Sequence, residues 1–218
     1  MSAFPPVPLA EVCTIIGGGT PRRSNAEYFH GTIPWATPTD VTALDSLFIK
    51  RTKETITETG LNKSSARLVP VGTVLMTSRA TIGYTAIATQ PMATNQGFAN
   101  LICSNRINPE YLAYWLRDQR EQLIQLAGGT TFRELPKSTL KKVHIPLPPL
   151  DEQQRIVGIL NRVAKIERLR AQAQERLREF IPALFIRMFG DPVRNPHGYD
   201  QQTLSECANF ISGATPSK

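Results

Sequence analysis

The stretch PPLDEQQRIVGIL, residues 148–160, decides the fold of this chain. Pro148 and Pro149 cannot continue a β-strand, because proline has no backbone N–H to donate and its φ is fixed. Asp151 then offers an N-cap, with Gln154 at the third helical position, and this combination is typical of a helix start. We therefore expect the chain to change at residue 148 from a strand-rich domain to a helix.

The helical segment runs from Asp151 to about Phe189, and only Gly158 and Pro182 interrupt it. Its apolar residues recur mostly at steps of three and four, which is the spacing of a coiled-coil seam. At about 1.5 Å per residue, such a helix would be about 55–60 Å long. The residues that we expect to pair with another helix are Ile156, Ile159, Val163, Ile166, Leu177, Phe180 and Leu184.

Two arrangements would bury this apolar stripe, since one helix cannot bury it alone. The helix could pack back on its own domain, or it could pair with a helix of another chain or of an internal repeat. The length of the segment and its near-heptad spacing favour the second arrangement.

Residues 1–150 are predicted to form a mixed α/β domain, in which Gly and Pro separate short apolar runs. These runs have the length of strands and are rich in Val, Ile, Thr and aromatic residues. We expect long loops at 17–32, 36–46 and 128–138. The strand candidates are VGTVLM (71–76), TIGYTAIA (81–88), GFANLIC (97–103) and KVHIPL (142–147).

One helix is expected to interrupt these strands. Asn108 is a good N-cap, Pro109 occupies the first helical position, and Gly128 with Gly129 ends the run. Apolar residues at helical spacing predict that one face of this helix is core. They are Leu112, Trp115, Leu116, Leu123 and Ile124.

The first residues of the domain have a partial copy near the other end of the sequence. LAEVCTIIGGGTPRR (9–23) aligns without gaps with LSECANFISGATPSK (204–218), and six of the fifteen positions are identical. A short Gly-Thr-Pro turn could recur by chance, but the shared register of Leu and Glu favours a true repeat. The offset of 195 residues suits a duplicated domain better than a solenoid unit of roughly 20–50 residues. We therefore expect residues 190–218 to be a linker and a truncated second copy.

The composition predicts a globular protein with a polyanionic partner. Hydrophobic residues make up 41% of the chain and charged residues 20%, while the net charge is +7 and the isoelectric point about 9.6. Residues 1–150 contain 15 Lys and Arg against 10 Asp and Glu, so most of the positive excess belongs to the predicted domain. Such an excess favours nucleic acid as the partner.

The sequence also predicts a cytoplasmic location. No stretch approaches the roughly 18 apolar residues of a membrane span, and the first residues lack the pattern of a secretory signal. Cys13, Cys103 and Cys207 are odd in number and have no CxxC spacing. We expect each to be a buried or partly buried apolar residue of a reduced protein.

Motifs for catalysis are missing. The Asp/Asn-Pro-Pro-aromatic motif of adenine methyltransferases has only a near match in NPHGY (195–199), which lacks the second proline. No GxxxxGK[ST] phosphate loop is present, and the glycines at 17–19 precede Thr-Pro rather than a helix. His30, His144 and His197 have no metal-ligand spacing with the cysteines. We therefore expect no catalytic residues and no metal site.

Taken together, these features resemble the specificity (S) subunit of a type I DNA restriction–modification system. The most specific match is IPLPPLDEQQRIVGIL (145–160), which is similar to the junction between a target recognition domain and a helical region in that family. Looser matches cover most of the chain in the same order. They are GTPRR (19–23), IPWATPTDV (33–41), LMTSRATIGYTAI (75–87), ATNQGFANLI (93–102) and MFGDPVRNP (188–196).

The resemblance implies a target recognition domain at 1–150, a helical spacer at 151–189, and a linker with the start of a second target recognition domain at 190–218. It implies a non-catalytic subunit of bacteria or archaea that reads half of a bipartite site in double-stranded DNA. Adenine-N6 methyltransferase (M) and restriction (R) subunits would be the partners. Those subunits would use S-adenosylmethionine, ATP and Mg²⁺, and this chain would hold no cofactor. With one recognition domain, two chains could form a homodimer through 151–189.

Loop residues of the first domain are the candidates for reading DNA. Arg pairs with guanine and Asn or Gln with adenine in the major groove, while other Lys and Arg contact phosphates. Asn95 and Gln96 could instead bond backbone around Gly97, and Ser78 with Arg79 could serve a strand bend. The base-reading candidates are Arg22, Arg23, Ser78, Arg79, Asn95, Gln96, Thr130, Thr131 and Arg133. The phosphate-contact candidates are Lys50, Arg51, Lys53, Lys63 and Arg67.

Two rival functions remain open from the sequence. The chain could be a coiled-coil interaction protein whose basic domain binds protein or RNA, or it could be a modification enzyme that acts alone. Specific duplex binding with a methyltransferase subunit would separate the first rival from a specificity subunit. Methyl transfer by the isolated chain would identify the second.

Overall fold

A computed structural model describes residues 4–128, 133–211 and 213. Contacts divide the chain into two compact units, Met1–Asn161 and Arg162–Lys218. The described strands are β1 (Pro6–Pro8), β2 (Cys13–Gly17), β3 (Phe29–Ala36), β4 (Phe48–Ile49), β5 (Glu54–Ile56), β6 (Val74–Thr77), β7 (Thr85–Ala88), β8 (Ala93–Thr94), β9 (Phe98–Cys103) and β10 (His144–Pro146). The described α-helices are α1 (Leu9–Val12), α2 (Pro38–Thr42), α3 (Glu58–Asn62), α4 (Pro109–Asp118), α5 (Arg120–Gln125), α6 (Lys137–Lys141), α7 (Leu150–Phe189) and α8 (Leu204–Cys207).

A five-stranded sheet forms the centre of the first unit, with the strand order β2-β9-β6-β7-β4. Neighbouring strands are antiparallel, except that β4 runs parallel to β7. A three-stranded sheet, β5-β3-β8, and a two-stranded sheet, β1-β10, accompany it. This mixture of sheets and helices confirms the predicted α/β fold class.

Both faces of the central sheet are covered, which explains why its strands are almost wholly apolar. Along β6, Val74 and Met76 belong to one core cluster and Leu75 to the other, as the period of two requires. The first cluster includes Leu112 and Leu116 of α4, and both side chains are fully buried. The face of α4 that the sequence predicted to be core is therefore confirmed.

The four strand candidates all contain strands, and all four strands begin later than predicted, by the largest margins at β6 and β7. Gly72 and Gly83 have φ values of +82° and +87°, so the chain cannot be extended at either residue. The strands β6 and β7 accordingly begin at Val74 and Thr85. The other described strands, β1, β2, β3, β4, β5 and β8, were not among the candidates.

The predicted loops contain short elements. A 3-10 turn at Ala26–Tyr28 and the start of β3 lie within 17–32, and α2 lies within 36–46. The helix α2 forms because Thr37 and Asp40 make a capping box in front of Pro38. In the third loop, α6 begins at Lys137, and residues 129–132 lie outside the described part.

The predicted helix after Asn108 is present in two pieces, α4 and α5. The Asn108 side chain accepts from the backbone N–H groups of Glu110 (2.8 Å) and Tyr111 (3.2 Å), so the predicted N-cap is confirmed. Gln119 is not helical and separates the pieces. The last α5 residue is Gln125, three residues before the first predicted terminating glycine, Gly128.

Gln153, near the start of α7, joins the long helix to the domain. Its side chain is fully buried, and its Oε1 accepts from the backbone N–H of Asn108 (2.8 Å). Its Nε2 donates to the carbonyls of Pro148 (2.8 Å) and Arg106 (3.1 Å). One amide therefore satisfies three backbone groups where the proline junction meets the start of α4. This role explains why glutamine, rather than another helix former, stands here.

The helix α7 begins at Leu150, two residues before Glu152, which would be the first helical residue after an Asp151 N-cap. The Gln153 N–H donates to the carbonyl of Pro149 (3.0 Å), so the cap lies at Pro149 and the predicted N-cap was wrong. Asp151 instead lies in the first turn, where a carboxylate is favourable to the helix dipole. The helix ends at Phe189 as predicted and continues through Pro182.

The repeat seen in the sequence has a local structural counterpart. α1 and α8 are both single turns, and they occupy equivalent positions of the two aligned segments. Leu9 of α1 is fully buried, whereas Leu204 of α8 is 73% exposed. Most of the second Gly-Thr-Pro turn lies outside the described residues. The predicted boundaries between the recognition domain, the helical spacer and the second copy, after residues 150 and 189, stay a prediction.

The cysteines differ in exposure. Cys13 is buried and Cys103 half-buried, as expected, but Cys207 is exposed, which corrects the prediction for that residue. In α8, the Cys207 thiol donates to the side-chain oxygen of Gln202 (3.3 Å).

Replacing Gln153 with Ala should destabilise the protein by about 2–4 kcal/mol, because one buried and two part-buried backbone hydrogen bonds would be lost. The neighbouring Gln154→Ala substitution is the matched control, since Gln154 is exposed and should change the free energy of unfolding by less than about 0.5 kcal/mol. Urea denaturation measures both. Equal stability of the two variants would contradict the anchoring role of Gln153.

Candidate nucleic-acid interface

The glycine-rich turn after β2 lies directly against the segment before β9. The Gly19 N–H donates to the Thr94 carbonyl (2.9 Å), and the Gly19 carbonyl accepts from the indole N–H of buried Trp35 (3.0 Å). At Gly18, a methyl group would overlap the Thr94 hydroxyl and the Asn95 carbonyl. Glycine is needed at 18 because the two backbones approach too closely for any side chain.

Three loops meet at one end of the central sheet. β2 ends at Gly17, opposite Ala99 of β9, and β6 ends at Thr77, opposite Phe98. Because these strands are antiparallel, the residues after β2 and β6 and those before β7 and β9 lie at the same end. We call this surface the loop end; its residues are 18–25, 78–84, 95–97 and 133–137.

Backbone hydrogen bonds hold the loop end together. The Ser78 N–H donates to the Gly97 carbonyl (2.8 Å), and the Leu135 N–H donates to the Ser78 carbonyl (2.8 Å). The Ala80 N–H donates to the Arg133 carbonyl (3.1 Å). Ala80 has a φ of +60°, which a residue with a side chain seldom adopts, so these bonds hold it in a strained conformation.

An arginine from α5 supports the turn between β6 and β7. The Arg120 Nε donates to the Ile82 carbonyl (3.1 Å), and its guanidinium lies 4.7 Å from the centre of the Tyr84 ring. Gly83, with its positive φ, leaves the space that the Arg120 stem occupies. The Arg120 side chain therefore fixes the turn between β6 and β7, which contains the base-reading candidates Ser78 and Arg79.

Some of the predicted base-reading residues have internal roles. Ser78 is 3% exposed, and its hydroxyl donates to the Gly97 carbonyl (3.3 Å). The Asn95 side chain accepts from the Gly97 N–H (2.9 Å), and Arg79 pairs with Glu134 through two bonds of 2.7 and 3.1 Å. For Ser78 and Asn95, this geometry favours the structural alternatives that the sequence left open.

Arg23 also has internal partners. It pairs with Glu54 through two hydrogen bonds, and its guanidinium lies 4.9 Å from the ring centres of both Phe29 and Trp35. The hydrogen bonds with Glu54 raise the pKa of Arg23. To read a base, Arg23 would have to exchange the carboxylate for that base.

The remaining base-reading candidates are exposed or lie outside the described part. Arg22, Gln96 and Arg133 have exposed side chains at the loop end. Thr130 and Thr131 are not among the described residues. Which of these residues read bases stays a prediction.

Two residues of the loop end were missed by the sequence reading. The Thr20 hydroxyl donates to the Gln96 side-chain oxygen, although the two residues are 76 positions apart. The Lys137 Nζ lies 3.0 Å from the point where a Cβ at Gly17 would stand. The three consecutive glycines signal a close approach of some kind. Nothing in the sequence signals that the approaching segments are 94–96 and the start of α6.

The predicted phosphate-contact residues are spread over the domain. Lys53 lines a cavity of about 310 Å³ beside Arg23, whereas Lys50 follows β4 at the end of the sheet away from the loop end. Lys63 and Arg67 flank the backbone at 65–66 that packs against Gly19. The Lys and Arg candidates that form no ion pair with a described carboxylate are Arg22, Lys50, Arg51, Lys53, Lys63, Arg67 and Arg133.

The predicted pairing residues of α7 fall into two groups. Ile156 packs against the first core cluster beside buried Val157, so its assignment to helix pairing is corrected. The first turns of α7 contact the domain through the buried side chains of Gln153 and Val157, while the opposite face, with Gln154 and Arg155, is exposed. The other predicted positions are exposed: Ile159, Val163, Ile166, Leu177, Phe180 and Leu184. Exposed apolar residues that the sequence reading left out are Leu169, Ile181, Phe185, Ile186 and Phe189.

Two searches of the described residues gave no candidates. No group of three or more His, Cys, Asp and Glu residues is placed to hold a metal ion. No helix among these residues is both long and apolar enough to cross a membrane.

Residues 1–179 match the family model described as the type I restriction modification DNA specificity domain. The chain belongs to this family. The matched region includes the loop end, the proline junction and most of α7, so the family pattern covers every feature of the candidate interface.

Curated relatives support this membership. The chain is 36% identical to the type I restriction enzyme MjaIX specificity subunit of Methanocaldococcus jannaschii, over 94% of this chain and 52% of the relative. It is 29% identical to the EcoR124I/EcoR124II specificity subunit of Escherichia coli, over 71% of this chain and 39% of the relative. The chain thus spans about half the length, or less, of these relatives.

Solved structures share the fold. The HsdS subunit from Thermoanaerobacter tengcongensis aligns with a TM-score of 0.61 and 24% identity, over 80% of this chain and 40% of that chain. A structure described as showing complex assembly and conformational transition of the type I R-M system aligns with a TM-score of 0.63 and 28% identity. That alignment covers 83% of this chain and 44% of the other.

Replacing Gly18 with Ala should disrupt the loop end and cost about 2–4 kcal/mol of stability, because the new methyl group would overlap fixed backbone. Gly17→Ala is the matched control. Its methyl group would meet only the movable end of Lys137 and should cost less than about 1 kcal/mol. Thermal unfolding of both variants tests this, and equal midpoints would contradict the close packing at Gly18.

Proposed function

We propose that this chain reads DNA sequence for a type I restriction–modification complex and performs no chemistry itself. The loop end would face the major groove, and the cations around it would contact the phosphates. The observation that carries the proposal is the loop end itself, where a frame of backbone hydrogen bonds presents the exposed amide of Gln96 and cationic side chains that form no ion pair with a described carboxylate. Membership of the specificity family supports the same conclusion.

The chemistry of the loop end fits DNA better than an acidic protein surface. Gln96 offers an amide to a base edge, while Arg22, Arg133 and Lys137 offer charge without a described carboxylate partner. Phosphate contacts hold a reader on the duplex, and base-edge contacts give it sequence preference. A surface that combines both kinds of group can do both.

The partners follow from the same proposal. Adenine-N6 methyltransferase and restriction subunits would supply catalysis, and these would bind S-adenosylmethionine, ATP and Mg²⁺. This chain would supply only target recognition to the complex, in the cytoplasm of a bacterium or archaeon. A coiled-coil protein with a basic domain that binds RNA or protein is the second candidate, which the exposed stripe of α7 also allows.

A methylation map tests the proposed function. Cells that carry this chain together with its methyltransferase subunit should contain methylated adenines within one defined sequence, and cells that carry either component alone should not. Binding of the assembled complex to that duplex should weaken steeply as salt rises, since each phosphate contact releases counterions. An unchanged methylation pattern would overturn the proposal. Methyl transfer by the chain alone would show that it is an enzyme.

We further propose that two chains pair through α7. The helix presents apolar side chains over several turns, among them Ile166 at 65% exposure and Phe180 at 57%. Surface apolar stripes of this length are rarely left in water. Paired chains would present two identical loop ends, so the assembly would recognise an inverted repeat.

An Ile166→Glu substitution should weaken this pairing by at least about tenfold, because a carboxylate would be buried in the seam without a partner. Gln172→Glu introduces the same charge at an exposed position outside the predicted seam and should leave pairing unchanged. Light scattering across a concentration series measures both. A wild-type chain that is monomeric at every concentration would overturn the pairing proposal but not the proposed reading of DNA.

Gln96→Ala should relax the target motif at one base pair, and Thr20→Val should relax the same base pair. The Thr20 hydroxyl donates to the side-chain oxygen of Gln96, so Gln96→Ala removes this amide and Thr20→Val leaves it unheld. A bidentate base contact is worth about 1–3 kcal/mol, which corresponds to about tenfold or more in preference. Gln90→Ala is the matched control, because Gln90 bonds the Lys50 carbonyl away from the loop end. Methylation maps should show its motif unchanged, whereas relaxation at different base pairs would contradict the coupling of Thr20 and Gln96.

A further inference from the structure

Cys13 and Cys103 face each other across two neighbouring strands. Cys13 begins β2, Cys103 ends β9, and the register of the sheet pairs them directly. Next to them, the Ser104 N–H donates to the Val12 carbonyl (2.8 Å). In an antiparallel ladder, this bond places the cysteines at a non-hydrogen-bonded pair, where Cα atoms are about 4.5 Å apart and side chains are closest.

This position suits a covalent link. Disulfides join residues whose Cα atoms are about 4.4–6.8 Å apart, so the bond would need no movement of the strands. Both side chains also pack against the same core cluster, so they share one face of the sheet.

The two thiols differ in how easily a reagent reaches them. Cys13 is 6% exposed, whereas Cys103 is half-buried. The hydrogen bond with Cys103 and burial raise the pKa of Cys13, so this thiol stays protonated and unreactive while Cys103 is reduced. An oxidant would therefore meet Cys103 first.

We propose that Cys13 and Cys103 form a disulfide-closing pair, which makes the joint between β2 and β9 sensitive to oxidation by a small disulfide such as oxidised glutathione. The Cys103 thiolate attacks one sulfur of the reagent and releases one glutathione thiolate. Cys13 then attacks the Cys103 sulfur, and the second glutathione leaves. The protein loses two electrons and two protons, and the reagent gains them as two thiols.

The link would lie away from the loop end. Along the same two strands, Gly17 pairs with Ala99 at the loop end, and Cys13 pairs with Cys103 at the opposite end. The closed bond would join residues 90 positions apart and would stabilise the fold by restricting the unfolded chain. The positions of the DNA-reading candidates should not change.

The test uses the full chain with the exposed Cys207 replaced by Ser. This protein is incubated with oxidised glutathione, the remaining thiols are alkylated, and peptides are weighed by mass spectrometry. The Cys13–Cys103 pair should lose two hydrogens and carry no adduct, and the midpoint of thermal unfolding should rise by about 5–10 °C. A further Cys13→Ser change should leave a stable glutathione adduct on Cys103. A further Cys103→Ser change should leave Cys13 as a free thiol.

Three results would overturn the inference. A glutathione adduct that persists on Cys103 while Cys13 is present would show that Cys13 cannot reach it. Alkylation of both thiols after long exposure would show that neither thiol is accessible to the disulfide. Closure only in urea would show that the folded strands prevent the reaction. None of these results would bear on DNA reading, which rests on a different part of the domain.

Discussion

The amide of Gln153 is the interaction on which the two parts of this protein depend. It lies inside the junction between the globular domain and the long helix, and it is bonded to Pro148, Arg106 and Asn108. Each bond goes to a backbone group that no secondary structure satisfies. The cost of leaving these groups unpaired in a buried place sets the position at which the helix leaves the domain. The prolines before it stop the strand, but the amide decides where the next element is held.

The loop end follows a similar rule, since its frame consists largely of backbone hydrogen bonds. Gly19 bonds Thr94, Gly97 bonds Ser78, and Ser78 bonds Leu135, so three loops and the segment before α6 form one connected surface. Polar side chains such as Asn95 reinforce this frame, and others project from it. In such a site, the backbone groups that hold the loops in place are different from the side chains that could contact a ligand. A residue that is both polar and near the interface is therefore not automatically a contact, as buried Ser78 illustrates.

Much of the architecture was predictable, because local rules fix it. Proline placement, the Asn108 cap and helical spacing identified α4, the junction and the extent of α7. Short strands such as β4 and β8 were missed, since two residues carry no periodicity and form only when a neighbouring strand supplies partners. The sequence predicted which loops would form the site, but it did not predict which residues of these loops would contact one another. Sequence spacing cannot show that Thr20 meets Gln96, or that a single amide fixes the start of the helix.

A support made mainly of main-chain bonds has a consequence for how such a domain can diverge. Exposed positions such as Arg22 and Arg133 can be exchanged for almost any residue without breaking the backbone hydrogen bonds that hold the loop end together. If these residues read bases as proposed, mutations there would alter sequence preference while the free energy of folding stays nearly constant. Substitutions that change recognition would then have little effect on stability. New specificities could arise by single substitutions, each of which leaves a folded protein.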